Sequence, residues 1–399
     1  VPQVIEAFHA PATDAALGLY LHVPFCRKRC KFCYFRVYTD VKASDVERYS
    51  NAVIEEARLV ANQLAIQGRT LKYVYFGGGT PSFLSVKQLD RLVDGLHRSF
   101  GWDDAEEVTF ECEPGTLSEP KIAALKRLGV TRLSLGVENF DDAILESNGR
   151  AHLSNEIFRA WNWIQNAGFP STNIDLIAGM VGETTESWEQ TVETALRLAP
   201  DSLTIYQMEL PYNTVFVKSS KDNGEATPVA DWPTKRAWVD WAFNRFVEAG
   251  YSISSAYTLG SKSQRGEIPV SGHVVGRQRS CRSWCSKFRA SVSIHYQNKT
   301  HCDDYLGAID AQQLPLGRAL VAKPRELLIR ELVLGLKKGS VDTGRLSDKF
   351  GVDPVVEWSE AWSELARQGF LEPIETSGSP QLTRSGLLQV DSLLNRFFD

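Results

Sequence analysis

Three cysteines, Cys26, Cys30 and Cys33, stand at C-x3-C-x2-C spacing directly after the apolar run Tyr20-Leu-His-Val-Pro-Phe25. Cysteine thiolates are the usual ligands of iron–sulfur clusters, and a [4Fe–4S] cube offers four irons. Three thiolates within eight residues can wrap one face of that cube and leave the fourth iron open. Arg27, Lys28, Arg29 and Lys31 lie among them, and such charge is expected to lower thiolate pKa and offset part of the cluster's negative charge. Structural zinc more often takes a C-x2-C pair with a second pair further on, and no second pair follows here. A disulfide framework suits short secreted chains rather than one of 399 residues whose other cysteines are scattered. The triplet alone leaves a cluster and a chance spacing both open.

The rest of the chain must supply a frame for that loop. Its 399 residues are enough for one large α/β domain and a smaller appendage. With 43% hydrophobic and 23% charged residues the composition is that of a globular protein, and the net charge of −5 argues against nucleic acid or an anionic membrane as partner. No apolar run reaches the roughly 18–20 residues of a spanning helix, and no signal-peptide pattern is visible at the start. Seven cysteines, three clustered and four dispersed, fit a reducing compartment, so the expected location is the cytoplasm.

Residues 1–15 show no clear periodicity and are expected to form a tail over the surface. Leu17 to Val23 reads as a strand that delivers the cysteine loop at its C-terminal end. Ser44-Asp-Val-Glu47 reads as a capping box before a helix with Val46, Tyr49, Val53 and Ala57 on one face. Leu71 to Phe76 is a second strand, ending in a glycine run, and Ser85 and Gln88 cap the helix that follows. Strands over Glu107 to Glu113, Thr131 to Val137, Thr172 to Ile177 and Ser202 to Gln207 alternate with helices over Lys121 to Leu128, Asn155 to Ala167 and Ser187 to Leu198. Six strands separated mostly by helices predict a parallel sheet with helices outside. Periodicity leaves an open doubly wound sheet and a barrel equally good, and no G-x-G-x-x-G places a dinucleotide. Thr234 to Ala249 is a further helix, with Trp238, Trp241, Ala242 and Phe246 as its core stripe. Helices over Pro324 to Leu336, Arg345 to Phe350 and Pro354 to Gln368, an extended pair around Gly378, and a helix over Thr383 to Phe398 complete the chain. Their mixed charge favours a packing or lid module over DNA binding.

The string LYLHVPFCRKRCKFCYF, followed by Phe76-Gly-Gly-Gly-Thr-Pro81, resembles the radical S-adenosylmethionine (SAM) superfamily. Within it, the chain is similar to the oxygen-independent coproporphyrinogen III oxidases (HemN) and the related HemW-type haem chaperones. The resemblance implies a partial (β/α)6 TIM-like barrel over 16–258, with its site at the C-terminal ends of the strands. It further implies a mostly helical, winged-helix-like HemN-type domain over 292–399. Cys26, Cys30 and Cys33 would hold a [4Fe–4S] cluster whose open iron takes the amino and carboxylate groups of SAM. One-electron cleavage of SAM would then give methionine and a 5′-deoxyadenosyl radical. Gly77, Gly78, Gly79 and Thr80 would let the backbone approach the methionine end closely, glycine having no Cβ. Tyr20 and Glu111 match contacts to SAM, and Phe32 matches a pocket residue. Arg150 and Asp175 match positions lining the substrate or a second SAM. Glu138 stands where glutamine is usual, which adds charge to the pocket. No residue is assigned as catalytic.

In the oxidase, hydrogen abstraction from the β-carbon of a porphyrinogen propionate, with loss of CO2 and an electron, leaves a vinyl group. HemN has a fourth cysteine two residues after the third, and this chain has Phe35 there. Phe35 and the chain length match HemW, whereas Ser171-Thr-Asn-Ile-Asp-Leu-Ile177 leans toward HemN. The implied reading is therefore a radical SAM oxidoreductase of haem and porphyrin metabolism. The alternatives are a haem chaperone, with haem as its ligand, and a radical methyltransferase using a second SAM. The implied partners are a tetrapyrrole or haem and an electron donor such as flavodoxin or ferredoxin.

Residues 259–291 depart from the family. A turn of the form Gly-x-Gly-x-x-Ser-Phe-Gly-His is expected before the Tyr-x-Asn segment, present as His295-Tyr-Gln-Asn298, and it is missing. The stretch Cys281 to Ala290 reads as an out-of-frame translation: one permitted codon choice for it, TGT CGG AGC TGG TGT AGC AAG TTT CGG GCA, read one base later, encodes Val-Gly-Ala-Gly-Val-Ala-Ser-Phe-Gly. The rival reading makes Cys281 and Cys285 ligands of an auxiliary cluster, with only Cys302 nearby where about four ligands are wanted.

Overall fold

A computed structural model describes residues 2–9, 17–223, 229–261, 287–288, 294–373 and 379–398. The stretch 259–291, expected to be out of frame or to carry an auxiliary cluster, lies outside the described residues except for Leu259 to Ser261 and Lys287–Phe288, and Gly378 lies outside them too.

A short helix, α1 (Pro2–His9), opens the chain, where a surface tail was expected. Val4 and Phe8, four apart and so on one helical face, are both buried, and Phe8 meets the Tyr296 ring edge-on at 5.7 Å. Only two apolar positions carry that pattern, too few for periodicity to reveal. Val4→Ala should cost about 2 kcal/mol, the worth of two buried methyl groups, read as a lower urea midpoint at unchanged slope. No loss of stability would show that α1 does not dock.

The core repeat follows as β1 (Leu17–Val23), α2 (Ala43–Ala61), β2 (Leu71–Gly78), α3 (Val86–His97), β3 (Glu107–Cys112), α4 (Glu119–Arg127) and β4 (Arg132–Glu138). It continues with α5 (Asp142–Ser147), α6 (Ser154–Ala167), β5 (Ser171–Ala178), α7 (Thr185–Leu198) and β6 (Ser202–Gln207). Strands β1 to β6 are parallel and lie side by side in sequence order. A right-handed crossover taken always in the same direction puts every connecting helix on one face. A doubly wound sheet would reverse its order midway, so the expected partial barrel is what forms. Beyond β6, α8 (Val215–Asn223) and α9 (Trp232–Glu248) lead to β7 (Tyr251–Ile253) and β8 (Thr258–Ser261), which extend the sheet antiparallel. The two-residue β9 (Lys287–Phe288) pairs antiparallel with β1 at the opposite edge. These edge strands are too short to announce themselves by alternation.

Period-two alternation divides the sheet into two chemically distinct faces. β4 buries Leu133, Leu135 and Val137 beneath the helices, while Arg132, Ser134, Gly136 and Glu138 line the open side. β5 does the same with Ile174, Leu176 and Ala178 against Asn173 and Asp175. On α9, Trp238, Ala242 and Phe246 are buried as expected, with Trp241 packed at the edge of the core. The helix α2 is capped two residues earlier than expected. The Lys42 N–H donates to Asp45 Oδ2 at 3.0 Å, so Asp45 takes the part assigned to Glu47.

A small sheet of β10 (Ile294–Asn298) and β11 (Leu316–Val321), separated by α10 (Cys302–Asp310), precedes the C-terminal helices. These are α11 (Pro324–Lys337), α12 (Thr343–Phe350), α13 (Pro354–Glu357), α14 (Ser359–Arg367), α15 (Arg384–Leu388) and α16 (Val390–Leu393). They share a core around Leu332, Leu336, Leu346, Trp362, Leu365 and Phe397. The bridge Leu371↔Leu382 supplies the extended pair, and Ser340↔Gln381 ties one arm of it to the segment after α11. Two expected helices are broken: Trp358 (φ −117°, ψ 38°) separates α13 from α14, and Gln389 (φ −124°, ψ 20°) separates α15 from α16. The buried Trp358 ring anchors the first break, and the Trp362 indole N–H donates to the Pro354 carbonyl at 2.9 Å across it.

Candidate cofactor site

The cysteine loop leaves the C-terminal end of β1 and is clasped by backbone hydrogen bonds. The Tyr38 N–H donates to the Pro24 carbonyl (2.9 Å), the Cys26 N–H to Tyr38 (3.1 Å) and the Lys31 N–H to Asn148 (3.0 Å). All three thiols are free, half-buried and face one cleft of about 3020 Å3. Among the described residues no three His, Cys, Asp or Glu side chains converge tightly enough for a single metal ion. Three thiols facing one cleft suit a cube, in which each thiolate takes its own iron.

Burial outweighs the flanking cations, although Arg29 still works to lower the Cys33 pKa. Burial pushes the Cys26 thiol up to about 11 and the Cys33 thiol up to about 12, the reverse of the expected lowering. Arg27 turns away to Glu113 (2.9 Å) and the Ala151 carbonyl (2.6 Å). The cation that reaches the thiols is Arg150, whose Nη1 donates to Cys30 Sγ at 3.3 Å. Burial opposes its charge, but Cys30, Glu138 and Glu113 more than offset that, so it is held above its ordinary value. Its Nη2 donates to the Gly136 carbonyl (2.8 Å), while its buried Nε has no hydrogen-bond partner. Thiols that lose their protons on metallation would gain from this fixed cation. The donor set, its cation and the orphaned N–H together fit an anionic iron–sulfur group.

The glycine run closes on the same loop. The Gly79 N–H donates to the Val23 carbonyl at 2.7 Å, and a Cβ at Gly79 would lie 2.9 Å from Cys26 Sγ. Gly78 has φ +118°, and a Cβ there would meet the His22 ring at 2.7 Å. Both positions therefore need glycine for packing against β1 and its loop, before any ligand arrives. Thr80 Oγ1 donates to Cys26 Sγ at 3.4 Å. Glu111 braces the run, accepting from Tyr75 Oη (2.6 Å) and the Gly78 N–H (3.2 Å). Tyr20 stacks on Tyr75 (5.7 Å between centroids) and its Oη lies 3.2 Å from His22 Nδ1. A Cβ at Gly77 would touch Tyr75, Tyr20 and Glu111. Phe32 packs beside Ile144, Met180 and Met208.

Glu138 ends β4 at a register shift with φ +67°, a left-handed conformation in a non-glycine residue. Such backbone costs of order 1–3 kcal/mol and persists only where the surroundings impose it. Here Arg150 sits 3.6 Å from its carboxylate. Asp175 lies deeper, accepting from Ser134 Oγ (2.9 Å) and Asn173 Nδ2 (3.1 Å). Every candidate residue except Gly77 lines the cleft directly, and Gly77 touches it through Glu111. Arg150 differs from expectation in reaching the cysteines.

Sequence reasoning missed Glu113 and His152. Glu113 is buried and accepts from Arg27, His152 Nδ1 (2.9 Å) and the Gly115 N–H (3.1 Å). Burial works to raise its pKa, but the His152 and Arg27 hydrogen bonds bring it down to about 2. Burial and Arg150 hold His152 below its ordinary value. The available signal was position: Glu113 and His152 stand two residues beyond Glu111 and Arg150.

Residues 20–195 match the Radical SAM superfamily. The chain is 26% identical to the haem chaperone HemW of Bacillus subtilis over 95% of this chain and 98% of that protein. It is 30% identical to the oxygen-independent coproporphyrinogen III oxidase of Synechocystis sp., covering 79% of this chain and 69% of that one. The solved structure of coproporphyrinogen III oxidase (HemN) from Escherichia coli superposes with a TM-score of 0.83 at 20% identity, over 100% of this chain and 93% of that one. Shared sequence over most of both chains, on a closely superposing fold, places this protein in the HemN/HemW family of the radical SAM superfamily.

Proposed function

We propose that this chain is a radical SAM oxidoreductase of porphyrin metabolism, of the oxygen-independent coproporphyrinogen III oxidase type. The observation that carries this is the meeting of the cysteine loop and glycine run at the strand ends, in the mouth of one cleft of about 3020 Å3. Drug-sized ligands fill roughly 300–1,000 Å3, so the cleft has room for a cluster, SAM and a macrocycle together. Cys26, Cys30 and Cys33 would hold the [4Fe–4S] cluster, which with bound SAM supplies a 5′-deoxyadenosyl radical. Gly77, Gly78, Gly79 and Thr80, with Tyr20, Phe32 and Glu111, would form the SAM seat. Arg150 offsets the negative charge of the thiolates, and Glu138 and Asp175 face the space beyond. The polar strand face fixes the ligand's orientation, while the C-terminal helices along the cleft exclude water.

A second reading is supported by the near-complete alignment with the B. subtilis haem chaperone and by Phe35 in place of a fourth cysteine. Anaerobic reconstitution with iron, sulfide, a reductant, SAM and coproporphyrinogen III separates the two. The oxidase reading expects 5′-deoxyadenosine together with a decarboxylated porphyrinogen. Stoichiometric haem binding without tetrapyrrole turnover would transfer the assignment to the chaperone, and a methylated product to a methyltransferase. No 5′-deoxyadenosine from protein carrying its cluster would overturn both enzymatic readings.

A further inference from the structure

The part of the cleft formed by the C-terminal helices is chemically unlike its strand-built side. Along α11, Ile329, Arg330, Val333 and Lys337 share the cleft-facing stripe, at the three- and four-residue spacings of one helical face. Tyr206 and Tyr257 also line the cleft, stacked with centroids 6.0 Å apart. The result is a largely apolar, aromatic wall, suited to the pyrrole rings of a macrocycle.

Several cations in the cleft are already matched: Arg27 by Glu113, Arg150 by Glu138, and Lys337 by Asp391. Arg236 on α9 and Arg330 on α11 line the same cleft and, among the described residues, have no carboxylate within ion-pair distance. Arg236 rests beside the Trp232 ring (5.7 Å), and its Nε is buried without a hydrogen-bond partner. Buried donors left unmatched in a native fold mark places where something else completes them. Burial draws Arg330 below its ordinary pKa, with only Glu331 acting the other way, so its guanidinium too gains from an anion.

We infer that Arg236 and Arg330 anchor the carboxylates of an acid-edged tetrapyrrole macrocycle whose pyrrole rings lie against the α11 wall. This rests on the tetrapyrrole reading above and adds which part of the ligand is recognised, and by what. A guanidinium presents two parallel N–H donors that match a carboxylate, which lysine cannot reproduce.

The test uses the full-length, cluster-reconstituted protein and its Arg236→Gln, Arg330→Gln and double variants. Each is titrated with coproporphyrin III and with its tetramethyl ester, following the macrocycle's visible absorbance. The free acid should bind the parent protein more tightly than the ester. Each glutamine variant should weaken acid binding by roughly tenfold or more, the worth of a charged hydrogen bond, with ester binding unchanged. Iron content and melting temperature report folding, and Arg236→Lys and Arg330→Lys, expected to keep part of the preference, serve where a glutamine variant fails to fold. Equal binding of acid and ester by the parent, or a preference untouched in both variants, overturns the anchoring while leaving the tetrapyrrole reading in place. Binding of neither macrocycle overturns that reading, and this inference with it.

Discussion

Gly79→Ala should sharply weaken the protein's hold on iron. The new methyl group would lie 2.9 Å from Cys26 Sγ and 3.0 Å from the carbonyl oxygens of both Val23 and Phe25. Two of those three neighbours are backbone, one of them the oxygen that accepts the Gly79 N–H at 2.7 Å, so neither yields cheaply. The side chain that can move is Cys26, one of three thiols offered to the cube. Overpacking of this kind costs roughly 1–3 kcal/mol of stability. Disturbing the support of a metal ligand costs about 10–100-fold in metal affinity, so the second effect dominates. Iron and sulfide assay after anaerobic reconstitution measures it, with Gly307→Ala, which meets nothing within 4 Å, as the control. Iron content equal to the parent would show that the glycine run does not constrain the cysteine loop.

Glu113→Gln should destabilise the fold and flatten its acid limb. The Glu113 carboxyl is brought from the ordinary 4.5 to about 2 in the folded protein. Since the folded value is the lower one, its contribution is present above about pH 4.5 and is lost as the pH falls toward 2. The difference corresponds to about 3 kcal/mol. Glutamine keeps the shape but removes the charge facing Arg27, and it cannot accept from all of the same donors at once. The expected result is a loss of about 3 kcal/mol at neutral pH, comparable to breaking a buried pair. It would be read from urea unfolding of both proteins between pH 7 and pH 2. Parallel stability curves would remove Glu113 from any part in holding the loop.

Legibility from sequence tracked the range of the interaction. The six parallel strands and their helices were legible because alternation and 3.6-residue stripes are local, and the glycine and cysteine runs were legible as motifs. The pairing of Arg27 with Glu113, 86 positions apart, was not, nor was that of Arg150 with Cys30, 120 apart. Both arise only when β1, β3 and the segment after α5 are brought to one end of the sheet. The sign of the thiol shift was misjudged for the same reason: neighbours in sequence supplied the expected charge, while burial in the folded loop supplied the actual environment. The edge strands β7, β8 and β9 run to four residues or fewer, and α1 buries only two apolar positions, so neither carries enough pattern to stand out.

The hydrophobic contacts that hold the parallel sheet together lie on its helix-covered side, and the inner surface carries serine, threonine, asparagine and charged groups instead. Ligand choice and folding are thereby written on alternate letters of the same strands. Exchanges among the inward letters, such as those at Ser134 or Thr204, can redirect what the chamber accepts while the scaffold beneath stays intact. A lineage built this way can diversify its chemistry without having to reinvent its architecture.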